Sequence, residues 1–519
     1  MGLADKKSKL DQRPSRLLNA FSNWGTLGIE AILAFILTPI VIHFLGQSGY
    51  GIWVLIGSII GYYGFLDLGI STAVMRYVAR FAGQADHRAM NATVSTALAL
   101  FFVIGFIIVI GTYFCAELLA GLVEVPLGKS NDFIQAIQLL SLAVAIRLVG
   151  STFSISLMAH EMFVASNIIT IIGTLARAAG TLWFLSNDWG LLGIALSHTL
   201  AAGLMGLLHF IVCMRYIPSL SIKINKINKS TLNNLITFGG VTTVIAITDT
   251  IRLNLDSIVI AKFVDMASVG VFGIAAILVR YFVHLVVAAM GVLTPRFAAL
   301  HGLNEQHELS GLFLKSLFVC SLMAFSFGAM LIAFGGSFIH LWVGDDFKPA
   351  IPVLYVLVIG HTVAVSQNVG IGMMYALKKH HWYAITSTVE AILNLTLSII
   401  LVLHYGIIGV ALGTVIPMLL IRAIIQPIYV SHLMKIHVAT YYAYLVPGAL
   451  IGVSIVTLVA FIGSKTFLDQ SYLTLAIQAI IASLGSVIFL VLAYRYSQKI
   501  ELIGPWKKEM RVVTNEKNA

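Results

Sequence analysis

Eleven ionisable side chains sit inside long apolar stretches of this chain: Glu30, Asp67, Arg147, Arg177, Asp249, Arg252, Asp256, Arg280, Lys315, Glu390 and Arg422. A charge placed at the centre of a bilayer costs roughly 2.5–3.5 kcal/mol on insertion scales unless it pairs or faces a wet cavity. Spacing groups several of them. In the stretch TTVIAITDTIRLNLDSIVIA, Asp249, Arg252 and Asp256 fall at i, i+3 and i+7, on one helix face. Thr248 and Asn254 add polarity beside them. Asn19, Asn23 and Glu30 share a face of the first apolar run. Asp67 stands four residues before Ser71, Arg280 four before His284, and Glu390 four before Asn394. Such groups either form structural ion pairs inside a bundle or line a hydrated cavity. Arg76 and Arg80 serve equally well as anchors at a membrane face, and Arg147 and Arg177 as partners of lipid or of neighbouring helices. Arginine suits phosphate, because its planar fork binds oxygens in pairs. Acidic groups in the same cavity could take H+ or Na+.

Familiar catalytic patterns are missing. There is no GxxxxGK[ST] loop for ATP phosphates, no HExxH, no GxSxG, and no Cys/His cluster at zinc-ligand spacing. The 15 histidines are scattered, with only His380 and His381 adjacent. The 3 cysteines, Cys115, Cys213 and Cys320, lie in or beside apolar runs and read as small hydrophobes. No catalytic residue, metal or cofactor is expected, apart from H+ or Na+ as a coupling ion.

The elements that must position these charges are membrane helices. The chain has 519 residues, 59% of them hydrophobic and only 10% charged. A soluble domain carries roughly 25% charged residues, so the bilayer is the expected solvent. Runs of about 20 apolar residues recur from Leu18 to Tyr496. They predict an all-α polytopic protein of about fourteen transmembrane helices, with Phe21–Phe44 retained as the first. Connections are short, and the longest candidates are Glu117–Asp132 and Gly335–Pro349. With the N-terminus cytoplasmic, 22 of the 32 basic residues fall at cytoplasmic ends and four in outer loops. That bias predicts both termini inside and explains most of the +10 charge without nucleic acid.

The basic stretch SIKINKINKST, Ser221–Thr231, divides the chain. Both parts open on Leu-Asn, at Leu18 and Leu232. Both turn into a Gly-aromatic start, FLGQSGYGIW at 44–53 and FVDMASVGVFGI at 263–274. The pattern predicts a basic N-terminus at 1–17, a lobe of six helices at 18–216 and a linker at 217–231. A second six-helix lobe follows at 232–434, then two extra helices at 440–496 and a basic tail at 497–519. Such repeats place a substrate site between the halves. Gly57/Gly61, Gly409/Gly413 and Gly448/Gly452 fit close helix packing.

Two stretches carry a resemblance. YGIWVLIGSIIGYYGFLDLGISTAVMRYVARF at 50–81 resembles the second-helix signature of the oligosaccharide, or polysaccharide-transporter, flippases. RLNLDSIVIAKFVDMASVGVFGIAAIL at 252–278 resembles the start of the second half in the same family. Its superfamily also holds multidrug/cation antiporters and the peptidoglycan-precursor flippase. The resemblance implies two lobes in a V around a central cavity, in the bacterial cytoplasmic membrane. It implies translocation of a lipid-linked oligosaccharide, usually on undecaprenyl diphosphate, for cell-surface polysaccharide or lipopolysaccharide. Helices one, two, seven and eight would line the cavity, as the charges also suggest. The expected cargo-binding residues are then Arg252, Arg280, Arg76, Asn23 and Asn254. Those for gating or ion coupling are Glu30, Asp67, Asp249, Asp256 and Glu390. Partners would be the lipid-linked cargo, membrane lipids and other polysaccharide-assembly proteins, around a monomer.

Two other readings stand beside it. A cation-coupled exporter of drugs or metabolites would favour an acidic, aromatic cavity without central arginines. A membrane polymerase or ligase would need a sizeable outer loop, and no long loop is evident. The topology is checked with reporter fusions at Arg16 and Lys507. Both should be active only in a cytoplasmic format, and activity restricted to the outside would contradict the orientation.

Overall fold

Within hydrocarbon every backbone N–H and C=O must find its partner inside the chain, which makes helix the default for sequences of this kind. The computed structural model describes residues 16–466 and 471–499, and helices dominate them, with no strand among the described residues. In chain order the helices are α1 (Arg16–Tyr62), α2 (Ile70–Gly83), α3 (His87–Leu122), α4 (Leu127–Ala159), α5 (Phe163–Ser186) and α6 (Gly190–Tyr216). Then come α7 (Lys229–Phe263), α8 (Met266–Gly291), α9 (Leu293–Gly302), α10 (Gln306–Val343), α11 (Ala350–Val365) and α12 (Asn368–Ala376). The last four are α13 (His380–Leu419), α14 (Gln426–Met434), α15 (Val438–Thr466) and α16 (Tyr472–Lys499).

Eleven helical stretches are long and apolar enough to cross a membrane. Two of these, Ser22–Asp67 and His381–Met434, are long enough for two crossings each. They bend at Gly46 (φ 69°, ψ 174°) and Gly406 (φ 56°, ψ −137°), conformations that glycine adopts without a Cβ penalty. α7 is long enough as well, at 35 residues, and carries Asp249, Arg252 and Asp256 within its apolar run. Counted this way, the fourteen expected crossings are present. Large apolar side chains such as Phe106, Phe114 and Leu118 on α3 stand exposed, as lipid-facing positions should.

Two expectations need correction. The second helix is not continuous over 49–80. It stops at Tyr62, passes through a 3-10 turn at Tyr63–Asp67, and resumes as α2 after Leu68 (φ 51°) and Gly69 (φ 65°), both left-handed. The Ser71 hydroxyl donates to Asp67 at 2.5 Å, so the carboxylate sits at the mouth of α2, where a negative charge suits the helix end. The two longest loops are also much shorter than expected. α3 continues to Leu122 and α4 begins at Leu127, while α10 continues to Val343. Polar residues there lie on helical turns that outrun the apolar run.

By its contacts the chain groups into two compact units. Unit 1 takes the chain up to Tyr281 with Trp342–Leu357 and His381–Pro417. Unit 2 takes Phe282–Leu341, Val358–His380 and the chain from Met418 onward. α7, expected to open the second lobe, belongs to unit 1 in this grouping.

In unit 1 the basic linker is held against α3. Asn91 donates to Ser219 O at 2.9 Å and accepts from Ser221 N at 2.8 Å. The N–H groups of Lys223 and Asn228 donate to the hydroxyls of Ser95 and Thr96, each at 3.3 Å. Ile217 and Leu220 turn into a core with Met90, Val94 and Phe101. In unit 2, Gly448 and Gly452 lie against the backbone of α10 at Phe318 and Leu322. The Ser321 hydroxyl donates to Leu445 O at 2.7 Å across the same contact.

The glycine pairs differ in use. A Cβ on Gly409 would overlap the Leu401 carbonyl, and one on Gly413 would overlap Ser398, whereas Gly57 has nothing within 4 Å. Overpacking of this kind typically costs about 1–3 kcal/mol. Gly409→Val and Gly413→Val should lower the unfolding temperature of the detergent-solubilised protein, while Gly57→Ala leaves it unchanged. Equal behaviour of all three would contradict the packing at the Gly406 bend.

Candidate functional site

Two polar clusters gather inside unit 1. The first is cationic and is built on α4, α5 and α6. These helices are drawn together by small and hydroxylated residues. Gly150 lies against the Gly206 backbone. Thr181 and Ser197 share a hydrogen bond at 2.8 Å, and Ser154 and Ser166 another at 3.0 Å. Ser166 in turn meets the buried His209 ring at 3.2 Å, and Thr199 donates to Leu139 O at 3.0 Å. Their close approach places Arg147 (α4), Arg177 (α5) and His198 (α6) within one another's electrostatic reach. Two arginines set side by side repel, and an anion between them would relieve that repulsion.

Glu30 on α1 and Tyr281 on α8 lie within electrostatic reach of Arg177. Arg280 reaches Tyr281 and Tyr50. Trp53 meets the His198 ring edge-on at 5.1 Å. Phe35 packs against Tyr281 at 5.3 Å and Trp342 at 5.2 Å, and the Trp342 indole N–H donates to Phe35 O at 2.7 Å. Arg147 and Arg280 are exposed within unit 1, while Glu30, Arg177 and His198 are half-buried. Among the described residues, no carboxylate closes a salt bridge on Arg147 or Arg177. The arrangement offers guanidinium donors, aromatic faces and one carboxylate in otherwise apolar helices.

The second cluster is made of oxygens and lies between α7 and α13. The Thr414 hydroxyl faces both oxygens of the buried Asp256 carboxylate, at 3.0 and 3.2 Å. Asn394 Nδ2 donates to Thr414 Oγ1 at 2.8 Å. The amide oxygen of Asn394 is buried with no hydrogen-bond partner among the described residues. Glu390, also buried, stands one turn before Asn394. The bend at Gly406 folds α13 back on itself and brings Thr414 to Asn394.

The remaining expected residues have local work. Asn23 accepts from Asn167 Nδ2 at 2.5 Å, joining α1 to α5. Asn254 Nδ2 donates to its own helix at Thr250 O, 2.9 Å, and its amide lies against Gly61. The Arg76 guanidinium sits 4.6 Å over the Phe238 ring at an exposed position. Asp67 caps α2. The side chains of Asp249 and Arg252 lie outside the described residues, so the expected stripe on α7 is represented by Asp256. Glu30 and Arg280 are therefore brought near one cluster, and Asp256 and Glu390 to the other.

Arg147, Arg177, His198, Asn394 and Thr414 are members that the sequence did not place. Arg147 and Arg177 were visible as buried-type charges, and Asn394 as the i+4 neighbour of Glu390. Nothing in the sequence marked Thr414, since a hydroxyl in an apolar helix can bond to its own backbone.

The comparisons with known proteins agree with this architecture. The family described as polysaccharide biosynthesis protein matches residues 34–352. A protein of Shigella flexneri named as a candidate O-antigen transporter is 23% identical over 419 residues, covering 79% of this chain and 96% of its own. The uncharacterised membrane protein EpsK of Bacillus subtilis is 21% identical over 423 residues, covering 80% of this chain and 83% of its own. Among solved structures, the lipid II flippase MurJ in an inward closed conformation superposes with a TM-score of 0.71 at 16% identity, covering 92% of this chain and 99% of MurJ. An inward-facing multidrug transporter of the MATE family superposes with a TM-score of 0.70 at 14% identity, covering 80% and 98%. The fold is thus the one shared by MurJ and the MATE transporters, and the chain belongs to the polysaccharide biosynthesis protein family.

Proposed function

We propose that this protein is a flippase that moves a lipid-linked oligosaccharide, carried on a polyprenyl diphosphate such as undecaprenyl diphosphate, across the bacterial cytoplasmic membrane. It works by alternating access between two six-helix lobes, with both termini in the cytoplasm. The observation that carries the reading is the cationic cluster of Arg147, Arg177 and Arg280 with His198 in unit 1. Three arginines against one nearby glutamate favour an anionic cargo. Each guanidinium can hold two phosphate or carboxylate oxygens in its plane. Trp53 and Tyr281 add flat faces of the kind on which sugar rings pack. An organic cation would meet repulsion there, which separates this reading from the MATE-type drug exporter that shares the fold.

Ion coupling belongs to the second cluster. Asp256, the Asn394 amide oxygen and the Thr414 hydroxyl are oxygens gathered at one buried place, with buried Glu390 one turn before Asn394 on α13, a set suited to H+ or Na+. Binding there would tie α7 to both arms of α13.

Deletion of the gene should abolish surface polysaccharide and leave lipid-linked precursor on the cytoplasmic leaflet. Normal surface polysaccharide in the deletion strain would contradict the reading. Arg147→Ala with Arg177→Ala should reduce export at least tenfold at wild-type expression. The Lys versions should recover it partly, because a point charge cannot bind oxygens in pairs. Full export by the Ala double variant would remove this cluster from the cargo path. For coupling, Asp256→Asn should abolish the dependence of export on the Na+ or pH gradient. An unaltered dependence would place coupling elsewhere.

A further inference from the structure

α4 has two unlike polar faces. Arg147 on one belongs to the cationic cluster. Gln138 stands nine residues before Arg147, about two and a half helical turns, and so lies on the opposite side. There Asn131, Gln135, Gln138 and Leu142 follow at i, i+4, i+7 and i+11, one continuous stripe. Asn131, Gln135 and Leu142 are exposed and Gln138 is half-buried. The stripe borders a groove of about 370 Å³ between α3, α4 and α6, lined by Val109, Gln135, Gln138, Leu139, Leu142 and Leu192. Sites that hold small molecules run from about 300 to 1,000 Å³. Among the described residues, the side-chain amides of Asn131, Gln135 and Gln138 have no hydrogen-bond partner. The Ser141 hydroxyl meets Gln138 only at its main-chain carbonyl, at 2.6 Å.

Depth decides what fits the groove. α3 starts beside the basic linker and α4 begins beyond its far end, so the first turns of α4 lie at the opposite membrane face. They carry Asn131 and Asp132, both exposed. At 1.5 Å per residue, Gln135 lies about 4.5 Å and Gln138 about 9 Å deeper than Asp132. Amides below the charged level are costly unless something bonds them. Deeper still the walls are apolar, with Leu139 and Leu142 on α4 and Val109, Phe106 and Phe102 along one face of α3. The groove thus has a carboxylate at its mouth, amides beneath and an apolar channel beyond. Asp132 closes no salt bridge among the described residues. Lys129 is engaged elsewhere, with its Nζ 3.6 Å from the place a Cβ on Gly49 would take.

We propose that this groove is a binding site for a zwitterionic aminophospholipid, phosphatidylethanolamine. The lipid ammonium pairs with Asp132. Asn131 and Gln135 donate to phosphate oxygens, and Gln138 donates to an ester carbonyl below them. One acyl chain runs along Leu142, Val109 and Phe106. An anionic headgroup such as glycerol phosphate brings no cation to Asp132 and meets its repulsion instead. The lipid is a resident of the bundle, set across α4 from the arginines, and the site stands whether or not the cargo is a lipid-linked sugar.

The test uses the full-length protein, delipidated in detergent, given phosphatidylethanolamine or phosphatidylglycerol and examined by native mass spectrometry. One phosphatidylethanolamine should stay on the wild type at collision energies that strip phosphatidylglycerol. Gln135→Leu with Gln138→Leu, a change suited to an apolar helix face, should lower that retention at least fivefold. Asp132→Asn should remove the preference between the two lipids. Equal retention of both lipids by the wild type would overturn the proposal, as would full retention by the Leu double variant. A second measurement needs neither variant. With p-benzoylphenylalanine in place of Leu142, illumination of native membranes should give adducts of phosphatidylethanolamine. Adducts to another protein chain would assign the groove to a partner helix and overturn the lipid.

Discussion

The hydrocarbon core sets the terms for this molecule: backbone must be satisfied within the chain, and charge must be paired, hydrated or neutralised by cargo. The first term produces the long helices and restricts breaks to a few places where the chain compensates. At the break after Tyr62, Asp67 takes the Ser71 hydroxyl at the mouth of α2. At Gly46 and Gly406, glycine supplies the left-handed turn that reverses the chain. The second term leaves few charges; in unit 1, Glu30, Arg147, Arg177 and Arg280 belong to one cluster and Asp256 and Glu390 to another, while Asp67 stands apart at the start of α2.

The two clusters offer different chemistry. Guanidinium groups with aromatic neighbours suit a large anion bearing sugars. Oxygen donors from α7 and α13 suit a small cation. Hydroxyls and glycines on α4, α5 and α6 bring the arginines close enough to repel one another.

The fold was largely legible in the sequence because its strongest signals, apolar length and small-residue spacing, are set by the membrane itself. The fourteen crossings and the small-residue packing at Gly413 and Gly448 follow from those signals. The break at Leu68-Gly69 was not legible, since YGFLDLGIS reads as apolar helix and only the left-handed angles reveal the stop. The site was legible in residue type and less so in membership. Glu30, Arg280, Asp256 and Glu390 stand out as charges in apolar runs. Thr414 joins them only because Gly406 folds α13 back. Asn254 looked equally polar, yet its amide serves its own helix and the contact with Gly61. Arg147 and Arg177 lie thirty residues apart on different helices, and no periodicity connects them.

The measurement closest to the central claim is translocation in vesicles containing only the purified protein. A polyprenyl diphosphate-linked oligosaccharide should cross the bilayer at a protein-dependent rate, and an organic cation of similar size should not. Movement of the cation with no movement of the diphosphate-linked sugar would contradict the account.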